Sequence, residues 1–180
     1  MTNTYQVNSS MPNGKASIIN NPQQTHKPYM RITSIKDCEE LGKNLRKADL
    51  QECKAYGNIT GLQALLIGYL NSNICISIAD NKSVIAIFGI CGELNKPAVI
   101  WMLSSDRLKE ISKPFLRENI KVINYLNEQY PLLHNVCDAR NKVHIKWLKW
   151  LGFTFINKQN LGYENKPFYT FIRTSCAPHN

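Results

Sequence analysis

Three apolar runs separated by two short polar turns fill the middle of the chain: NICISI at 73–78, SVIAIFGIC at 83–91 and AVIWMLS at 98–104. Asp80-Asn81-Lys82 divides the first two, and GELNKP at 92–97 divides the second from the third, with Gly92, Asn95 and Pro97 as turn formers. Links this short join antiparallel neighbours, because a parallel neighbour needs a crossover of a dozen residues or more. An antiparallel meander is therefore the fixed point of the fold. Ile74, Ile76 and Ile78 alternate onto one face of its first strand. The second run is apolar almost throughout, as a central strand covered on both faces should be.

The flanking sequence supplies the cover. MRITSI from Met30 reads as a first strand with Met30 and Ile32 on one face. A helical stretch follows over about 35–56, until Gly57-Asn58 breaks it. Thr60 can cap a second helix, GLQALLIGYL, which is apolar on most sides and is expected to be buried. Residues 106–130 read as helical, with Ser112 as a cap, Pro114 tolerated in the first turn and Pro131 as the stop. Phe115, Leu116, Asn119 or Ile120, Ile123, and Leu126 or Asn127 mark its partial apolar stripe. LLHNVCDA at 132–139 is a further strand, and FTFIN and PFYTFIRT are two last ones around a polar loop containing Gly162.

Between them lies NKVHIKWLKWLGF at 141–153. At about 100° per residue, Lys142, Lys146 and Lys149 share one arc, while His144, Trp147, Leu148 and Leu151 fall opposite. Asn141 suits the N-cap and Gly152 the left-handed position that ends a helix. The order β-α-α-β-β-β-α-β-α-β-β predicts an α/β (α+β) domain: a mixed, mostly antiparallel sheet with helices on both faces.

At 180 residues one domain is expected. Residues 1–29 are rich in Asn, Ser, Pro, Thr and Gln, contain no acidic residue and read as a flexible arm. The folded domain is expected over 30–173, and 174–180 as a frayed tail. The formal charge of +9 favours anionic partners, although the lysines are scattered and form no basic run. Cysteines at 38, 53, 75, 91, 137 and 176 have no CxxC spacing and no zinc-like arrangement with histidine. They imply a reducing environment without a disulfide framework, and no metal site. No signal peptide is visible, and no apolar run is long enough to span a bilayer.

The element order and the 141–153 helix resemble the acetyl-CoA-dependent N-acetyltransferase (GNAT) superfamily. Members end their fourth core helix with N-x-x-A-x-x-L-Y-x-x-x-G-F, and Asn141 and Gly152-Phe153 match at identical spacing. The resemblance implies that Asn141 contacts the pantetheine arm of acetyl-CoA. At the proton-donating Tyr, however, this chain has Leu148, and at the Ala it has His144. The family's pyrophosphate loop is glycine-rich, so that backbone N–H groups approach the phosphates. Here the corresponding segment is SSDRLKEISKPFLRENI, and no glycine occurs between Gly92 and Gly152. Ser104, Ser105 and Arg107 remain as groups that could meet an anion.

A narrower resemblance is to the small internal virion (core) protein family of short-tailed phages, itself GNAT-like. LRKADLQECKAYG at 45–57, IAIFGICG at 85–92, IWMLSSDRL at 100–108 and RNKVHIKWLKWLGF at 140–153 carry it, in order. It implies a protein packaged in the phage head, working with other virion proteins in assembly or DNA ejection.

Two roles compete at each candidate position. His144 reads as a core histidine, and Trp147 and Trp150 as packing residues rather than base-stacking ones. Asn141 is a helix cap or a cofactor contact. Arg46, Asp49 and Glu52 recur every three residues and form either a surface ion-pair row or, through Asp49 or Glu52, the general base of an acyl transfer. Ser104 and Ser105 are turn or cap residues, or cofactor contacts.

The sequence thus favours a phage structural or internal virion protein with a degenerate acetyltransferase fold, acting by protein–protein interaction, with no cofactor and with incidental DNA contact. Its residence would be the virion interior or the host cytoplasm. The competing reading is an acyl-CoA-dependent N-acetyltransferase with an atypical cofactor loop, using acetyl-CoA. A third is a basic module that binds nucleic acid directly.

Overall fold

The computed structural model describes residues 27–111 and 113–175, with 113–116 as backbone only. The arm up to residue 26, the Ser112 cap, the side chains of Phe115 and Leu116, and Cys176 lie outside the described residues. The chain runs β1 (Tyr29–Ile32), α1 (Ile35–Gly42), α2 (Lys47–Gly57), α3 (Gly61–Asn71), β2 (Ile74–Ala79), β3 (Val84–Cys91) and β4 (Ala98–Ser104). A 3-10 turn, Asp106–Glu110, leads to α4 (Lys113–Gln129), β5 (Leu132–Asp138), α5 (Lys142–Trp150), β6 (Thr154–Leu161) and β7 (Lys166–Thr174).

The seven strands form one sheet in the order β1-β2-β3-β4-β5-β7-β6. Every neighbouring pair is antiparallel except β4 with β5. The predicted meander is β2-β3-β4, and β3 is buried along nearly its whole length. Its two faces feed two cores. Leu41, Leu45, Leu65 and Ile87 pack under α1 and α3 on one side. Phe88, Ile90, Ile123, Leu126, Leu148 and Phe171 pack under α4 and α5 on the other.

Local signals set most boundaries. Thr60 accepts from the Gln63 N–H at 3.2 Å and caps α3, and Asn141 accepts from the His144 N–H at 3.2 Å and caps α5. Gly152 takes φ +84 after α5. Gly162, at φ +74 in the β6–β7 turn, lets that turn lie on the end of α2, where Tyr163 N–H donates to Tyr56 O. A Cβ on Gly162 would stand 2.5 Å from the Tyr56 Cα.

Four expectations change. The helical stretch at 35–56 is two helices, because Leu45 leaves the helix to bridge Ser105 and Arg46 N–H donates to Ser104 O at 2.9 Å. A tertiary contact overrides helical propensity there. The stretch 106–130 is likewise a 3-10 turn followed by α4. Helix α3 is not buried: only one face meets the sheet, leaving Leu62, Ile67 and Leu70 exposed at 37%, 52% and 76%. In β1, Met30 packs on the core, but Ile32 is exposed because this edge strand has one neighbour and little cover.

Candidate functional site at the splayed strands

β4 and β5 pair only at Ala98↔Leu133 and Val99↔His134, although both strands continue for several residues. β5 stays paired with β7 along its full length, so the sheet opens between its fourth and fifth strands. Asn135 Nδ2 donates to Ile100 O at 2.8 Å and is a side-chain link across the start of the opening. Strand alternation then turns the Met102 N–H and C=O toward the gap, as it does those of Ser104.

A cavity of about 380 Å³ occupies this opening. Trp101 and Leu103 reach it from the α3 face of the sheet, and Phe88, Ile100 and Met102 from the α4/α5 face. The cavity therefore passes from one side of the sheet to the other. Its size is that of a small-molecule site. Trp101 shapes one wall: its Nε1 donates to Ser72 Oγ at 2.9 Å. Its ring fits only because Gly68 and Gly89 lack side chains, since a Cβ at either would lie within 2.7 Å of it.

The walls are mostly apolar, with a few polar groups. Glu52 lines the cavity from α2, and its Oε2 has no hydrogen-bond partner among the described residues. Burial pushes its carboxyl up to about 7, and the negative Asp49 nearby adds to the shift. His144 enters from α5 with Nδ1 unpartnered among the described residues, and burial pulls its imidazole down to about 4, so it is neutral at pH 7. Asn119 enters from α4, buried, with both side-chain polar atoms unpartnered among the described residues.

Of the five residues expected to act as base or cofactor contacts, Glu52 lines the cavity, whereas Asp49, Ser104, Ser105 and Asn141 are not among its lining; His144 and Trp147 line it as well. Asp49 is buried and chelated by Arg46, whose Nε and Nη2 donate at 3.1 and 2.5 Å. The expected surface row is thus an interior ion pair. Asp49 also accepts from the Ser104 N–H at 2.9 Å, which ties α2 to the end of β4. The N–H and the hydroxyl of Ser105 both donate to Ile85 O. Asn141 is buried and serves as the α5 cap. His144 is a core histidine as expected, but it also faces the cavity. Asn119, Asn135 and Trp101 carry no motif and were not singled out as site residues; their meeting depends on the splay.

The diphosphate of acetyl-CoA does not fit the described residues beyond β4. The Ser104 amide is held by Asp49 and the Ser105 amide by Ile85. Arg107 donates to both carboxylate oxygens of Asp80, at 3.0 and 2.6 Å, and to Ser83. That pairing keeps the Asp80 carboxyl far below the usual carboxylate range and neutralises the arginine. Among the described residues no cluster of three His, Cys, Asp or Glu side chains could hold a metal ion. Cys38, Cys53, Cys75, Cys91 and Cys137 are free, and burial pushes the Cys53 and Cys137 thiols up to about 12. No described helix is long and apolar enough to cross a membrane.

Solved structures share this architecture. An acetyltransferase of the GNAT family from Streptococcus pneumoniae superposes with TM-score 0.57 at 14% identity, covering 83% of this chain and 99% of that one. The chain has the GNAT fold. A GNAT-family acetyltransferase from Bacillus anthracis gives 0.57 at 9% identity, covering 82% and 95%. An aminoglycoside 6'-acetyltransferase type Ii gives 0.57 at 12% identity, covering 81% and 96%. At such identities the likeness is one of GNAT fold alone. The model of the family "Bacteriophage T7, probable scaffold protein Gp13" matches residues 74–159. The matched span runs from β2 into β6 and includes Asn119 and His144, whereas Glu52 precedes it. No curated protein matches the sequence.

Proposed function

We propose that this chain is an internal or scaffold-type protein of a phage particle, and that it works by recognising other virion proteins rather than by acyl transfer. The observation that carries the reading is the match of residues 74–159 to the phage scaffold-like family. The geometry beyond β4 supports it, since the Ser104 and Ser105 amides and the Arg107 guanidinium are bonded within the protein. The exposed Leu62, Ile67 and Leu70 on α3 offer apolar surface of the kind that protein partners cover. The formal charge of +9 adds non-specific attraction to packaged DNA, which weakens steeply with salt.

Mass spectrometry of purified, protease-treated particles tests this reading. The chain should be recovered at a fixed ratio to the capsid protein and protected from the protease. Its absence from particles, with the protein free in the lysate, would end the proposal.

The cavity favours a second reading, an acyl-CoA-dependent N-acyltransferase with an atypical cofactor loop. Glu52, whose carboxyl titrates near neutrality, is then the candidate general base. Leu148 still supplies no proton for a leaving thiolate. Acetyl-CoA separates the two readings, because a ligand that binds only the folded state raises its stability by mass action.

A further inference from the structure

The two sides of the splay cavity differ in one respect. On the α2/α3 side the polar groups are the side chains of Tyr56 and Asn71 and the carboxyl of Glu52, of which Glu52 has an atom unpartnered among the described residues. On the α4/α5 side the polar groups are the side chains of Asn119 and His144, each more than nine-tenths buried and each with unpartnered atoms among the described residues. A buried donor or acceptor without a partner forfeits its hydration with nothing in return. A fold that keeps three such atoms on one cavity wall is one whose partner comes from outside the chain.

We propose that the α4/α5 side of the cavity is a binding site for a small, uncharged ligand bearing a primary carboxamide on an apolar body. Asn119 presents a donor, Nδ2, and an acceptor, Oδ1, side by side. A primary carboxamide presents the complementary acceptor and donor side by side, so the two amides pair through two hydrogen bonds. The neutral His144 supplies a further contact through Nδ1. Val122, Ile123, Trp147 and Leu148 enclose the ligand body. An anion is disfavoured because these walls are apolar, His144 carries no charge and Glu52 stands in the same cavity. The inference is independent of whether the chain is a virion protein, since it uses only the wall of the cavity.

Benzamide and hexanamide are suitable probes, compared with acetophenone (no donor), benzoate (anion) and benzylamine (cation). Binding is read by isotope-edited NMR, following the backbone amides of α4 in every variant and the Asn119 side-chain amide in the wild type. Both carboxamides should saturate at or below about 10 mM and bind about fivefold or more tighter than acetophenone, with benzoate weaker still. Asn119→Leu should abolish the preference, and so should Asn119→Asp, which keeps the shape and removes the donor pair. Asn119→Leu should also melt at or above the wild-type temperature, because it removes unpaired buried polar atoms. A lower melting temperature would mean that Asn119 is satisfied within the protein, and would overturn the proposal. Absence of saturation with either carboxamide would overturn it, with water as the partner of these atoms. Tightest binding by benzylamine, or carboxamide binding unchanged in both variants, would do the same.

Discussion

Asp49 and Glu52 stand three residues apart on one helix and are indistinguishable as candidates in the sequence, yet they meet opposite surroundings. Asp49 turns to Arg46 and the Ser104 amide and is consumed in holding α2 against β4. Glu52 turns into the splay with an oxygen unpaired among the described residues. The cost of burying Glu52 and His144 predicts opposite pH dependences. An acid whose folded pKa is raised, from 4.5 to about 7, makes the folded state the stronger proton binder. Stability from that group therefore falls as pH rises from about 4.5 to 7. For His144, lowered from 6.5 to about 4, the unfolded state binds the proton first, so stability falls as pH drops through that window. Each effect is on the order of 2–3 kcal/mol, and in the wild type they largely offset one another. Urea unfolding between pH 4.5 and 7.5 should unmask them. The advantage of Glu52→Gln over the wild type should grow with rising pH, and that of His144→Phe with falling pH. Curves parallel to the wild type would show that neither group is buried as described. The sequence placed His144 on a buried helical face from its spacing, which is local. It could not separate Glu52 from Asp49, because the difference lies in where β4 and β5 part.

Helices with strong end signals were legible. Thr60 and Asn141 both cap as their chemistry suggests, and Gly152 ends α5 as expected. The break between α1 and α2 was not legible, since it is made by a bridge from Leu45 to Ser105, far along the chain. Composition also misled at α3: a helix with no charged residue exposes Leu70 and Ile67 on its outer face. Its inner face carries a constraint that composition hides, for Gly68 lies against the Trp101 ring. A Cβ there would stand 2.5 Å from that ring. Gly68→Ala should therefore cost about 1–3 kcal/mol by overpacking, despite the better helix propensity of alanine. It should also move the Trp101 indole, whose bond to Ser72 fixes it. Chemical denaturation and tryptophan fluorescence test both effects. A stabilised variant with an unchanged spectrum would mean that the ring is not seated between Gly68 and Gly89.

Over the whole molecule, the antiparallel meander and the sharply ended α5 were legible because both rest on short-range turn and cap chemistry, and the GNAT fold was legible through the resemblance carried by the element order, Asn141 and Gly152-Phe153. Whether the opening of the sheet between β4 and β5 holds a cavity or is filled was not readable, since that depends on the side chains packed around it. The fold retains the through-sheet cavity of about 380 Å³, while the end of β4 is tied down by α2 and by the Arg107–Asp80 pair. Under the proposed reading, a chain so built would not hold a nucleotide diphosphate at residues 104–107. Calorimetric titration of the full chain with coenzyme A asks that question directly. The account predicts no saturable heat at concentrations up to about 1 mM. Saturable binding, with the diphosphate seated at residues 104–108 in soaked crystals, would contradict it.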